Sequence, residues 1–277
     1  MKHYTLVLLL LLSITLTFAQ KKTKIKGSKI VTIEQLKIND FSSLTVEDNL
    51  EVFVERGERA ELKIEADDNL QDIITVDERD NTLRIYTSKQ ATNYKKLIVR
   101  ITYTSDLRSI ITKNEATVTA IQEILLDDLT LKASDASKLF LNASVSNFMF
   151  QGNDKSKIEL NLKAEKTIIE LSKNSSLKGL LTTTDLKVDM YQKSDASIEG
   201  ESTTAIIRLD NNSNLTANKL TLKNATVTAE SYSNCSINVS TTVAINAANK
   251  SEIQLVGAAK IDIIKFADEA KLIKKLK

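Results

Sequence analysis

The chain has 277 residues, with 38 basic and 36 acidic side chains, one histidine, one cysteine, no proline and no tryptophan. A balance this close to neutral leaves no electrostatic footprint for nucleic acid. A lone cysteine forms no internal disulfide.

The first residues, MKHYTLVLLLLLSITLTFAQKK, place a charge at Lys2, an apolar run from Leu6 to Leu16, and Thr17-Phe18-Ala19 as a small-x-small pattern. That order predicts a secretory signal peptide over residues 1–19, cut between Ala19 and Gln20. The apolar run falls short of the ~20 residues a membrane span needs. No cysteine follows the cut, so lipid attachment at a new N-terminus is excluded, and the mature chain carries no transmembrane segment. His3 leaves with the signal, and with it every Ser-His-Asp or Cys-His nucleophile and every imidazole-ligated metal. The basic stretches 21–26 and 271–277 read as solvated ends.

Residues 30–112 hold strand-like runs, LTVEDNLEVFVERG, AELKIEAD, NTLRIYTS and KKLIVRITYT, with turns at Gly57 and Asp80-Asn81. They are expected to form a β layer that covers the first rung of the C-terminal repeats and shields its edge.

From residue 113 a pattern repeats whose marker residues 30–112 lack. An Asn or Asp is followed two places on by a small residue and then by an alternating apolar run. The markers are Asn114, Asp135, Asp154, Asn174, Asp195, Asn212, Asn234, Asn249 and Asp268, at separations of 21, 19, 20, 21, 17, 22, 15 and 19. The small residues are Ala116, Ser137, Ser156, Ser176, Ser197, Asn214, Ser236, Ser251 and Ala270; the apolar ones begin at Val118, Leu139, Ile158, Leu177, Ile198, Leu215, Ile237, Ile253 and Leu272. Second alternating segments, such as Phe148-Met149-Phe150 and Leu186-Lys187-Val188, lie between markers. Period-two alternation is a strand with one face buried. Units of about 20 residues that cannot bury that face alone must stack.

The expected fold is all-β, a right-handed parallel β-solenoid with the N-terminal β layer capping its first rung. A sandwich of hairpins is the alternative, but the Asn-Gly and Asp-Gly turns it favours are missing. The expected organisation is one solenoid domain over 20–277, with the β part at 20–112 and rungs at 113–273. Asn and Asp suit the corners because they tolerate left-handed backbone. Cys235 falls within the repeat and reads as a buried structural thiol.

The run FSSLTVEDNLEVFVERGERAELKIEADDNLQDIITVDERDNTLRIYTS resembles the opening of the putative auto-transporter adhesin family with the head GIN domain. The matching positions are Phe41, Val52, Val54, Gly57, Leu62, Ile64, Asp68, Asn69 and Leu70, and the segment LTANKLTLKNATVTAESYSNCSINVSTTVAINAANKSEIQLVGAAKI is similar to the family's closing rungs. Where the family carries Ser-Gly-Ala-Ser at its corners, this chain has Ser-Asp-Ala-Ser, Asn-Asp-Lys-Ser or Lys-Asn-Ser-Ser, and Gly257-Ala258-Ala259 replaces a Gly-Asn-Pro. The resemblance implies a periplasmic, outer-surface or extracellular location in a Gram-negative envelope. It brings no catalytic residue.

Three functions stay open at this level. A non-enzymatic adhesin or surface-binding module would take a polysaccharide or another cell-surface component; a structural envelope protein would take nothing. A polysaccharide-acting enzyme would need Asp135, Asp154 and Asp195 in one column, sharing a proton or a hard cation. Asn at five of the nine markers argues for turn geometry over charge, and Arg208 is the only arginine after Arg108. No catalytic residue, cofactor site or metal ligand is therefore assigned, and the ligand-binding residues are left open.

Overall fold

The computed structural model describes residues 22–275, and the expected signal segment lies outside them. Six long strands carry the middle of the chain: Lys138–Gly152, Lys157–Leu171, Ser176–Met190, Asp195–Leu209, Asn214–Ala229 and Asn234–Ala247. Each pairs in parallel with the next, Leu139 against Ile158, Ile158 against Leu177, Leu177 against Ala196. In Lys138–Gly152 the buried positions are 139, 141, 143 and 145, then 148, 150 and 152. The phase breaks at Ser146-Asn147, so one strand bends and serves two sheets, both of which turn their apolar side inward. Four residues at the opposite corner close the rung. The result is a parallel β-solenoid.

Stacking is required by energetics. A lone rung would order some 19 residues with no neighbour to cover Leu139, Leu141, Val145, Phe148 and Phe150 or to pair its backbone. A rung is stable only with neighbours, which complete its hydrogen-bond ladder and cover its core. Cys235 takes one position of the core column, between Leu215 and Ile253. Burial pushes its thiol up to about 12.

The chain does not lay its rungs in sequence order. Ser43–Val46 and Glu51–Arg56 form an early rung. The chain then leaves, returns through Thr82–Thr87 and Leu97–Tyr103 on one side of that rung, and continues as Ser109–Thr112 and Thr117–Ala120 on the other. Antiparallel strands finish the N-terminal end: Val31–Lys37 on Glu61–Asp67 on Leu97–Tyr103, and Ile74–Arg79 on Thr82–Thr87. Leu70 and Ile73 of the short 3-10 turn Asp68–Ile73 plug the core there. The expected cap is thus present. The expectation that 30–112 lacks the corner marker is corrected, because Asp48 and Asn49 are both left-handed, with φ of 71° and 55°. Leu50 follows them where the repeat calls for a small residue, and it is fully buried.

A single buried carboxylate ties the N-terminal arm to this cap. Asp67 accepts backbone N–H groups of Lys29 at 2.8 Å, Lys95 at 3.0 Å and Lys96 at 2.9 Å. Gly27 lies against it, where a Cβ would meet Asp67 Oδ2 at 2.3 Å and the Tyr94 Cα at 2.7 Å. Burial raises the Asp67 carboxyl, but the N–H groups of Lys29, Lys96 and Lys95 and the charge of Lys29 outweigh it, and the net shift is downward.

The packing has two measurable outcomes. Ile158→Asp places an unpaired charge in the core column and should cost at least about 4 kcal/mol in urea unfolding; a wild-type midpoint would contradict the register. A carboxyl lowered by folding contributes stability that is complete above its unfolded value, near the ordinary 3.8, and is lost as pH falls through the lower folded value. Stability measured from pH 7 downward should therefore drop on that acid limb, and Asp67→Asn should make it shallower while lowering stability at pH 7; the part that remains comes from Glu65, which Lys96 and Arg100 also hold below its ordinary value.

Candidate functional site

Each rung turns its closed corner through two consecutive left-handed residues. From Asn114 onward the first of each pair is Asn114, Asp135, Asp154, Lys173, Gln192, Asn211, Ser231, Asn249 and Asp268. The N–H of the second residue donates to the carbonyl of the first residue in the next rung: Ala136 to Asp154 at 2.8 Å, Lys155 to Lys173 at 3.0 Å, Lys193 to Asn211 at 3.0 Å. Across the turn, Ser137 donates to Ser134 and Ser156 to Asn153, both at 3.1 Å, which is the bond of a tight two-residue turn. The parallel ladder therefore runs through the corner without a break.

The residue after each pair is the first inward one. It is Ala116, then Ser137, Ser156, Ser175, Ser194, Ser213, Ser233 and Ser251, all fully buried, and Ala270 at the last corner, which is half-buried. Only a small side chain fits where the chain doubles back. Most of the hydroxyls have partners: Ser175 donates to the Gly152 carbonyl at 3.1 Å and Ser213 to the Met190 carbonyl at 3.2 Å.

These observations correct the expected register. Asp195 and Asn234 are not corner residues; each opens a strand, and Asn214 pairs with both. The tetrapeptide Ser-Asp-Ala-Ser occurs at 134–137 and 194–197, yet the corner is Asp135-Ala136 in the first and Gln192-Lys193 before the second. The core decides between them. With Ser194 inward, Ala196 and Ile198 follow inward; with Ser197 inward, Glu199 and Glu201 would be buried. Ser176, Ser197, Asn214 and Ser236 are likewise displaced from the small-residue column, which Ser175, Ser194, Ser213 and Ser233 fill.

The carboxylate column consequently does not form. Asp135 and Asp154 are neighbours, but Asp135 accepts from the Ser134 hydroxyl at 2.8 Å and Asp154 faces Lys173 at 3.7 Å. Asp195 is elsewhere, accepting from the Asn214 amide at 3.0 Å. Among the described residues no group of three or more Asp, Glu, Cys or His is arranged to hold a metal ion.

A groove of about 570 Å³ runs beside the corner, across five rungs. At about 4.8 Å per rung it is roughly 19 Å long. One wall is the outward column Lys132, Gln151, Glu170 and Asp189, in register from rung to rung; the other is the residue before each corner, Ser134, Asn153, Ser172 and Tyr191. The groove exists because the tight turn projects past the sheet it closes. Its walls are tied: Gln151 donates to Glu170 at 2.9 Å, and Ser172 donates to Asn153 at 3.0 Å. Asp189 meets Lys187 at 2.8 Å, and the hydrogen bond and charge of Asp189 hold the Lys187 ammonium above its ordinary value. The Arg208 guanidinium stands 5.7 Å from the centre of the Tyr191 ring. The wall thus offers amides, hydroxyls and carboxylates at a fixed pitch, and one aromatic face. None of these stands out in the sequence alone. The signal is the 19-residue recurrence of serine, which fixes the outward columns once it is taken as the marker.

The fold is thus a parallel β-solenoid with a ladder-lined groove and a capped N-terminal end. The family described as "Putative auto-transporter adhesin, head GIN domain" matches residues 40–259, and the chain belongs to that family. Solved structures agree on the fold. A putative adhesin from Parabacteroides merdae ATCC 43184 has a TM-score of 0.68 at 15% identity, covering 91% of this chain and 99% of that one. A putative adhesin from Parabacteroides distasonis ATCC 8503 has 0.63 at 14%, and a putative lipid binding protein from the same strain 0.62 at 13%, each covering 91% of this chain and 100% of its own. The sequence matches no curated protein.

The corner makes its own prediction. Lys193 has φ of 62°, a backbone state that costs an L-residue about 1–2 kcal/mol. Lys193→Gly should raise the unfolding free energy by a few tenths to about 1 kcal/mol, while Lys193→Val should lower it by more than about 1 kcal/mol. Two variants of equal stability would show that the corner is not held left-handed.

Proposed function

We propose that this chain is an exported, non-enzymatic adhesin or envelope surface-binding module that holds an extended polar ligand, a cell-surface polysaccharide, along the corner groove. In this reading residues 1–19 are removed and residues 20–277 act as one solenoid in the periplasm, on the outer surface or outside the cell. The observation that carries it is the groove itself: five rungs repeat polar groups at one pitch beside Tyr191. A chain of sugars presents hydroxyls and apolar ring faces in the same alternation. Carboxylates such as Glu170 and Asp189 accept from hydroxyls, amides such as Gln151 and Asn153 serve both ways, and an aromatic ring covers a sugar face.

Family membership supports a surface role, and so do the adhesin names of the structural neighbours. Among the described residues no helix is long and apolar enough to cross a membrane. The non-enzymatic part of the proposal rests on the partners of the groove's carboxylates. Glu170 Oε2 is bonded by Gln151 and Asp189 Oδ2 by Lys187, so each carboxylate is anchored through one oxygen while the other remains an acceptor for a hydroxyl.

Glycan-array and whole-cell binding by the chain freed of residues 1–19 tests this. Saturable binding is expected, weakened about tenfold by Tyr191→Ala, the loss of roughly 1–1.5 kcal/mol of aromatic contact. The thermal midpoint should barely move. Absence of binding to every glycan and every cell surface would reject the proposal and leave a structural envelope role.

A further inference from the structure

The two ends of the solenoid are finished differently. At the N-terminal end Leu70 and Ile73 close the core. At the C-terminal end the last strands are Lys260–Phe266, paired only with Asn234–Ala247, and Lys271–Lys274, paired only with Glu252–Val256. Their other edges carry no partner strand among the described residues. Ile263 continues the core column of Ile245, which is fully buried, yet Ile263 is 57% exposed. Ile264 and Phe266 on the same strand are exposed as well, and so is Ile273 on the last strand. A repeat stack needs a polar terminal cap to remain soluble, and this end has none among the described residues.

The charges on the two ends have opposite signs. The last two strands carry Lys260, Lys265, Lys271 and Lys274 against Asp262, and Lys275 follows. On the intervening corner stand Asp268 and Glu269, the latter met by Lys250 at 3.7 Å, so the end carries five lysines against three carboxylates. The outermost N-terminal pieces, Val31–Lys37, Asp68–Ile73 and Ile74–Arg79, carry Glu34, Asp68, Asp72, Asp77 and Glu78 against Lys37 and Arg79. They also present free strand edges and the apolar Ile33, 62% exposed, and just before them the exposed Lys29 and Ile30 add one charge of the other sign and one more apolar side chain. Val31–Lys37 stands one strand beyond the edge of the other sheet, so it projects.

We propose that the C-terminal end is a docking surface for the N-terminal end of a second copy, producing head-to-tail chains. Two C-terminal ends meeting each other would bring lysines against lysines, whereas the acidic, apolar N-terminal end complements this one in charge and in unpaired backbone. A head-to-tail contact does not close on itself, so it extends into open oligomers or closes only as a ring. Its charged component weakens with salt.

Sedimentation velocity on the chain freed of residues 1–19 tests the proposal, with variants at positions exposed enough to spare the fold. Wild type should form species larger than a monomer as concentration rises, with less association at high salt. Ile33→Lys sets a lysine against the lysines of the C-terminal end and Ile264→Glu sets a carboxylate against the acidic N-terminal end; each variant alone should remain monomeric. Mixed together they should form a one-to-one dimer and stop there, because each still owns one intact end. A wild type that is monomeric at every concentration overturns the proposal. So does either variant associating on its own, which would mean that like ends meet.

Discussion

The structure depends on one feature above the others: a parallel main-chain ladder that continues through the corner. In most turns the backbone bonds to itself and the sheet stops. Here the second corner residue donates to the next rung, so each corner is both a turn and a rung of the sheet. The cost is two residues held left-handed in every rung, of the order of 1–2 kcal/mol each when they are not glycine. The ladder offsets that cost by pairing the backbone N–H of the second corner residue along the stack, while the turn itself pairs that of the buried residue after it. Because these bonds come from the backbone, the side chains at the corner are unconstrained. Asp, Lys, Gln, Asn and Ser all stand at the first position, and Ala, Lys, Asn and Tyr at the second.

That freedom explains what can and cannot be read from sequence. Alternation in LFLNASV and FMFQG is enough to give strands, and Leu139 and Ile158 are core neighbours as their spacing implies. An Asn/Asp marker misleads because those residues are favoured at the corner but not required by it. Where Gln192-Lys193 and Ser231-Tyr232 turn the chain, the nearby Asp195 and Asn234 imitate the marker from the start of a strand. The buried residue after the corner is the constrained one, since only serine or alanine fits there along most of the stack. The corner at Asp48-Asn49 escapes the pattern for a related reason. Leu50 follows it, and its partner strands lie both before and after it in the stack rather than one repeat away. The groove is invisible until the outward columns are in register, because a three-residue slip moves Glu170 and Asp189 off the same wall.

The polar surface is organised on the same pitch as the core. Asn214 donates to Asp195 and Asn234 to Asn214, at 3.0 and 2.9 Å, while Thr204 donates to Asp185 at 2.6 Å and Thr242 to Asn224 at 2.7 Å. Side chains that bond up and down a column lose rotamer freedom during folding rather than on contact with a ligand. A surface of this kind is already ordered, which lowers the entropic penalty of binding something long and regular. The same regularity makes individual positions dispensable, and it accounts for polar residues exchanging freely along a column.

The interleaved early rung has a consequence for how the chain comes into being. Ser43–Arg56 is gripped by strands from residues 82–103 on one side, so the capped end needs nothing beyond about residue 103 to assemble. Synthesis delivers that part first. The rung Ser109–Ala120 then joins Ser43–Arg56, 66 residues behind it, and after that each new rung adds to an edge only about 19–21 residues behind, so the loop to be closed stays short. The capped end acts as a seed, and the remainder elongates on it as a one-dimensional crystal grows, with its most recently added layer always at the surface.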